Sequence, residues 1–104
     1  MSSCTSIISN VSEGLANNLA ISILNQDDPE LVRDGAPAYL LLLDSLIEGD
    51  PENPIILSAA ANLYASYGGV FVDDNERAKR MTRKALKYSN KSLCLSLVLT
   101  CSWD

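Results

Sequence analysis

Apolar residues recur at intervals of three and four along most of this chain, which is the spacing that places side chains on one face of an α-helix. The first such series is Ile8, Val11, Leu15, Leu19 and Ile23. A polar run over residues 25–28 ends it. The pattern therefore predicts a first helix over residues 7–24, preceded by a short N-terminal tail over residues 1–6.

Further helix starts are marked by a capping residue followed by proline, because proline needs no amide partner in the first helical turn. The pairs Asp28-Pro29 and Asn53-Pro54 have this form, and Asp74 or Asn75 can cap a further helix. Together these signals predict helices near residues 30–48, 54–68 and 75–89. The short connections between them favour antiparallel neighbours.

The second predicted helix contains two irregular features. Pro37 cannot donate a backbone hydrogen bond to residue 33, so we expect a kink or a break there. The run Leu40–Leu43 that follows is apolar on every side, which is typical of a helix packed between neighbours. A groove lined for a lipid or another ligand is the alternative interpretation of this run.

The stretch from Gly49 to Gly69 carries a repeat-like pattern of large, small and aromatic positions. Within this stretch, the residues of the third predicted helix are similar to the first helix of a tetratricopeptide repeat. A second helix of such a repeat has two small residues seven apart, and Thr82 stands where a larger side chain is usual. The predicted repeat-packing residues are Leu57, Ala60, Ala61, Tyr64, Ala78 and Ala85. The fold predicted is all-α, with four to five helices in antiparallel hairpins of a tetratricopeptide-like right-handed solenoid.

The tail over residues 92–104 changes character, because its leucines alternate with other residues in a period of two. A strand there would have no sheet to join, so we expect a further, weakly amphipathic helix. Cys94 and Cys101 would lie roughly 10 Å apart on a continuous helix, too far for a disulfide. A bridge between them would mean that the tail turns back on itself.

Charge is distributed unevenly along the chain. Residues 1–76 hold twelve acidic side chains and one base, Arg33, whereas residues 77–91 hold seven bases and no acid. The basic face predicted for the fourth helix comprises Arg77, Arg80, Lys84, Lys87 and Lys91. Few aromatic residues accompany these bases and the net charge is −5, so a solvated face or a contact between subunits is favoured over nucleic acid.

Little in the sequence points to chemistry. The chain has no histidine, and its three cysteines lack the C-x-x-C spacing of a zinc site, so we expect neither metal nor cofactor. The adjacent carboxylates Asp27-Asp28 and Asp73-Asp74 stand where helix caps belong. We therefore predict no enzymatic activity.

Several phrases of the chain together resemble one family. They are Asn17-Asn18-Leu19, residues 25–30, residues 31–46 with the phrase Val-Arg-Asp-Gly-Ala-Pro-Ala-Tyr, Leu63-Tyr64-Ala65, Phe71-Val72 and residues 76–80. These phrases resemble the T-component family of TRAP (tripartite ATP-independent periplasmic) transporters. The resemblance implies a periplasmic lipoprotein with tetratricopeptide-like helices that partners a solute-binding protein and can form trimers. Ser2-Ser3-Cys4 is similar to the end of a lipobox, which implies lipid attachment at Cys4 and an anchor in a bacterial membrane.

The function predicted is a non-enzymatic scaffold that binds the periplasmic solute-binding protein of a TRAP-type transporter through helical repeats. The domain organisation predicted is a lipoprotein-like tail (1–6), a helical domain (7–91) and an atypical tail (92–104). Members of the family are longer, so we expect this chain to correspond to their N-terminal part, with the tail truncated or frame-shifted. A generic tetratricopeptide adaptor in the cytoplasm is the alternative, and Asn62 is its one candidate groove residue in the third predicted helix.

Overall fold

The computed structural model describes the backbone of residues 2–97 and the side chains of residues 13–97. Within these residues the chain forms four helices: α1 (Ser2–Leu24), α2 (Pro29–Gly49), α3 (Pro54–Val70) and α4 (Asn75–Ser96). The all-α prediction is confirmed. Helix α1 includes most of the predicted N-terminal tail, and α4 extends well beyond the predicted end near residue 89.

Three helix starts are fixed by side-chain caps. The Asp28 carboxylate accepts from the amides of Glu30 and Leu31 at 3.1 and 3.4 Å, and the Asp74 carboxylate accepts from the Glu76 amide at 3.0 Å. The cap of α3 is formed by the Asn53 side chain, which accepts from the amides of Ile55 and Ile56. These contacts satisfy amides that have no partner within the helix.

Helix α3 is the centre of the fold, because it packs against α1, α2 and α4. Its sequence explains this position, since apolar or small residues surround most of the helix. Four side chains are the largest fully buried ones in the described core: Leu43, Ile56, Leu57 and Leu63. Three of them belong to α3, so burial of this helix supplies much of the hydrophobic free energy of folding.

Pro37 does not break α2, which runs without interruption from Pro29 to Gly49. The predicted break into two short helices is therefore wrong. A proline leaves the carbonyl four residues earlier, that of Arg33, without its helical donor. Here the Tyr67 hydroxyl of α3 donates to the Arg33 carbonyl oxygen at 2.7 Å. Helix α2 can continue because a tertiary hydrogen bond replaces the missing helical one.

The run Leu40–Leu43 is not buried on every side. Leu40 and Leu43 belong to the core, but Leu41 is 70% exposed. The expectation that this segment is packed between neighbours on all sides is wrong for its outer face. Helix α3 holds the central position instead.

The tail begins as a continuation of α4, which ends at Ser96 with Leu97 as its C-cap residue. The expectation of a helical segment after residue 91 agrees with this extension as far as Ser96. Cys94 is disulfide-bonded. Residues 98–104, and with them the predicted remainder of the tail and Cys101, lie outside the described residues.

Candidate functional site

The Asp44 carboxylate of α2 joins three helices, because its partners come from α3 and α4. It accepts hydrogen bonds from the Tyr64 hydroxyl of α3 at 2.5 Å and from the Tyr88 hydroxyl of α4 at 2.7 Å. Lys84 of α4 completes the group with an Nζ–Oδ2 distance of 2.6 Å. We call these four residues the Asp44 cluster.

Aromatic rings surround the charges of this cluster. The Lys84 ammonium lies 4.9 Å from the centroid of the Tyr64 ring and 5.8 Å from that of Tyr88, within the range of cation–π attraction. The two rings pack tilted, with centroids 6.1 Å apart. The ion pair is only partly open to water, since the side chains of Lys84 and Asp44 are 40% and 21% exposed.

Three groups of the Asp44 cluster have raised pKa values. Burial, reinforced by the hydrogen bond to Asp44 and its negative charge, raises the pKa of the Tyr64 and Tyr88 hydroxyls. For Lys84, burial alone would lower the pKa, but the hydrogen bond and the charge of Asp44, assisted by Tyr88, raise it overall. Neutral tyrosines around a lysine–carboxylate pair therefore persist at neutral pH. Since three donors already occupy Asp44, this geometry suits a structural connection better than proton transfer.

A second polar junction fixes α1 to the turn between α2 and α3. The Oδ1 atom of the buried Asn53 accepts hydrogen bonds from the backbone amides of Ile55 and Ile56, with N–O distances of 3.0 and 3.4 Å. Its Nδ2 donates to Glu13 Oε1 of α1 at 2.7 Å and to Asp50 Oδ2 at 3.0 Å. The cap residue predicted from sequence therefore also orients the first helix.

An open groove of about 500 Å³ lies between α1, α3 and the C-terminal half of α4. Its polar lining comes from all three helices and contains no charged residue: Asn17, Ser58, Asn62, Ser92 and Ser96. Apolar walls are supplied by residues such as Ile21, Leu24 and Ile55. We call this the α1–α3 groove. Its mixture of amides, hydroxyls and aliphatic side chains suits an uncharged polypeptide segment better than an ionic ligand.

Two smaller apolar grooves, of about 270 and 260 Å³, lie near the α1–α2 connection. Ile23, Gln26 and Val32 line both. Tyr67 and Phe71 close one of them, with ring centroids 5.3 Å apart and the Arg33 guanidinium 5.5 Å from the Phe71 centroid. Neither groove contains a carboxylate in its lining.

The predicted repeat-packing residues are spread along α3 and α4. Leu57, Ala60, Ala61, Tyr64 and Ala85 are buried, and Ala78 is partly buried. These two helices approach each other closely at Gly68, where a Cβ atom would lie 3.0 Å from the Met81 Cβ. Sequence analysis missed this pair, although a glycine near the end of a helix is a usual sign of close packing or capping. The assignment of these residues to repeat positions stays a prediction.

The five bases predicted to share one side of the fourth helix do not all have the same surroundings in the structure. Arg77, Arg80, Lys87 and Lys91 are exposed, whereas Lys84 turns toward Asp44. Lys84 therefore belongs to an interhelical cluster and not to a purely solvated face. The interpretation from sequence missed this, because Asp44 lies forty residues earlier in the chain.

Two structural tests bear on membrane and metal chemistry. In the described part of the chain, no helix is both long and apolar enough to cross a bilayer. Over the same residues, no three histidine, cysteine or carboxylate side chains come together as metal ligands. Cys4 lies within α1, but its side chain is outside the described ones, so lipid attachment there stays a prediction.

Comparison with known proteins identifies a family that this chain resembles. A family model described as TRAP transporter T-component matches residues 25–102 of the 104-residue chain. No curated protein and no solved structure matches the chain. The matched segment includes α2, α3 and α4, and with them all members of the Asp44 cluster.

Proposed function

This chain belongs to the TRAP transporter T-component family, and we propose that it binds the periplasmic solute-binding protein of its transporter as a non-enzymatic scaffold. Family membership makes it an accessory subunit of such a transporter. The observation that carries the finer proposal is the α1–α3 groove, an open and uncharged surface formed by three helices of the domain. Helical arrays of the tetratricopeptide type bind partner proteins through extended surfaces of this kind.

The groove has the composition expected of a protein-binding surface. Asn17 and Asn62 can each donate and accept hydrogen bonds, so they can pair with the backbone of a docked segment. Ile21, Leu24 and Ile55 are 48%, 50% and 46% exposed and can bury apolar side chains of the partner. The Asp44 cluster supports the same role indirectly, because it fixes α4 relative to α2 and α3.

A titration with the purified solute-binding protein of the same transporter tests the proposal. Asn17→Arg introduces a long cation into the uncharged groove and should weaken binding by about tenfold or more. Asn18→Arg is the matched control, because Asn18 is exposed on the same helix but does not line the groove. Absence of binding by the unaltered protein, or an equal loss in both variants, would contradict the proposal.

We propose further that the protein works in the periplasm, anchored by a lipid on Cys4. The disulfide at Cys94 supports an oxidising compartment and disfavours the alternative of a cytoplasmic adaptor. Expressed behind a lipoprotein signal, the chain should fractionate with membranes. The Cys4→Ser variant should be released into the soluble periplasmic fraction, and unchanged fractionation of that variant would count against lipid attachment.

We also propose that copies of this chain associate with one another. Trimers are expected from the family resemblance, and exposed leucines on more than one helix support contact between copies. The tetratricopeptide-like arrangement of the helices belongs to the proposal as well. Catalysis is not part of the proposal, since the Asp44 carboxylate is already engaged by three side chains.

A further inference from the structure

Two outer faces of the molecule carry opposite charges, and each also exposes leucine side chains. One face belongs to α2 and the other to α4. Monomeric proteins rarely leave large apolar side chains grouped together in water, so both faces are candidates for contact with another molecule.

The face on α2 is acidic. Glu30, Asp34, Leu41 and Glu48 follow one another at steps of four and seven residues, which places them along one side of the helix. All four are exposed, and Leu41 is 70% exposed. Among the described residues, none of the three carboxylates forms a salt bridge. We call this row the acidic α2 face.

The face on α4 is basic. Arg83 and Lys87 lie four residues apart, and Leu86 and Leu93 lie seven apart, so they form adjoining rows on the helix. Leu86 is 58% exposed and Leu93 is 38% exposed. Neither Arg83 nor Lys87 forms a salt bridge within the described part of the chain. We call these rows the basic α4 face.

We propose that the acidic α2 face of one copy docks on the basic α4 face of a second copy. This inference rests on the self-association proposed above and names the surfaces that produce it, and it does not depend on binding of the solute-binding protein. The contact pairs Leu41 of one copy with Leu86 and Leu93 of the other, and carboxylates with cations. Because it joins two different surfaces, it is heterologous and leaves one face of each kind open for the next copy, so it produces a ring where the rotation closes.

A second copy fits these observations better than an anionic lipid surface. A membrane would account for the basic α4 face alone, whereas a second copy accounts for both faces at once. The net charge of −5 also repels the chain as a whole from anionic lipids. Charge complementarity between copies instead draws the two faces together and fixes their orientation.

Charge reversal on each face tests the proposal in sedimentation velocity runs at micromolar protein concentration. The basic-face variant combines Arg83→Glu with Lys87→Glu, and the acidic-face variant combines Asp34→Lys with Glu48→Lys. Each variant alone should associate about tenfold more weakly than the unaltered protein, because like charges then meet across the contact. An equimolar mixture of the two variants should recover association, since each supplies the face that the other lacks.

Two matched measurements separate this mechanism from others. Glu52→Lys with Asp73→Lys makes the same change in net charge as the acidic-face variant, at exposed positions outside both rows of residues, and should leave association unchanged. Binding to the purified solute-binding protein should persist in both face variants, so a failure of the α1–α3 groove proposal is recognised independently. Circular dichroism of each variant verifies that it remains folded.

Three results would overturn the inference. One is an unaltered protein that remains monomeric over the whole concentration range. Another is a loss of association in the Glu52→Lys, Asp73→Lys control equal to that in the acidic-face variant. The third is a mixture of the two face variants that associates no better than either alone. Binding of the monomer to phosphatidylglycerol vesicles, abolished by Arg83→Glu with Lys87→Glu, would assign the basic α4 face to lipid instead.

Discussion

Helices α3 and α4 differ strongly in burial, although they pack closely against each other. Nine of the 17 residues of α3 are buried, against two of the 22 residues of α4. Helix α3 contacts all three other helices, whereas α4 presents its basic side to water. One helix thus holds the fold together while the other forms much of the outer surface.

The difference shows how burial and charge are divided in a small helical array. A helix that is apolar around most of its circumference can only be stable between neighbours. A strongly amphipathic helix needs a single neighbour and leaves its other side for solvent or a partner. We therefore expect substitutions in α3 to change the free energy of unfolding, and substitutions on the outer side of α4 to change association.

The largest expected effect comes from removing a buried leucine of α3. Leu57→Ala should lower the free energy of unfolding by about 2–5 kcal/mol, because Leu57 is fully buried and its loss leaves a cavity. Leu86→Ala is the matched control on α4, where a 58% exposed leucine should cost no more than about 0.5 kcal/mol. Urea denaturation measures both at a protein concentration below that at which copies associate, because Leu86 also lies on the basic α4 face. Similar losses in the free energy of unfolding at the two sites would contradict the proposed difference between α3 and α4.

The interface of α3 with α4 can be tested by enlarging small residues. Ala61→Leu in α3 or Ala78→Leu in α4 should overpack this interface by roughly 1–3 kcal/mol, as expected if these alanines occupy the repeat-packing positions. Ala65→Leu provides the control, since Ala65 is an exposed alanine of α3. Thermal denaturation in which all three variants behave alike would refute the repeat assignment.

A smaller effect is expected where α3 supports α2. Tyr67→Phe removes the donor to the Arg33 carbonyl and should cost about 1 kcal/mol. In the Pro37→Ala background, residue 37 regains an amide that can bond to that carbonyl, so the same change should cost less. A double-mutant cycle measures this coupling. Additive effects of the two substitutions would show that Tyr67 does not compensate for Pro37.

The smallest effect is confined to alkaline pH. The unfolded chain titrates its tyrosines near the ordinary pKa of 10.0, while burial and Asp44 raise the pKa of Tyr64 and Tyr88 in the folded chain. The folded state then binds more protons than the unfolded state above about pH 10, so its stability falls as the pH rises. The Tyr64→Phe, Tyr88→Phe protein should show a shallower decline in denaturation experiments. Parallel declines in the two proteins would contradict the assigned pKa shifts.

Local signals in the sequence predicted the helix starts well. Asp28, Asn53 and Asp74 act on amides two or three residues away, so their role depends on short-range chemistry alone. The break into two helices, one of the two alternatives expected at Pro37, was wrong for the opposite reason. The Tyr67 hydroxyl that compensates for it lies thirty-four residues later, and no local pattern reveals that contact.

The family phrases predicted the functional class, and the site residues were harder to predict. Asp44 follows the leucine run of α2, and its partners come from two later helices, so the Asp44 cluster has no signature of its own in the sequence. Asn62 is a groove candidate from the sequence, whereas no local pattern marks Asn17 as lining the same groove. Only the packing of α1 against α3 brings the two asparagines to one groove.

Native-state hydrogen exchange measured residue by residue tests most directly whether α3 is the centre of the fold. If α3 is the centre of the fold, the buried central amides around Leu57–Tyr64 should exchange most slowly and only through global unfolding. Amides near the C-terminal end of α4 should exchange faster, through local opening. Slower exchange in α4 than in α3 would contradict the account, because it would place the most stable part of the molecule in its outer helix.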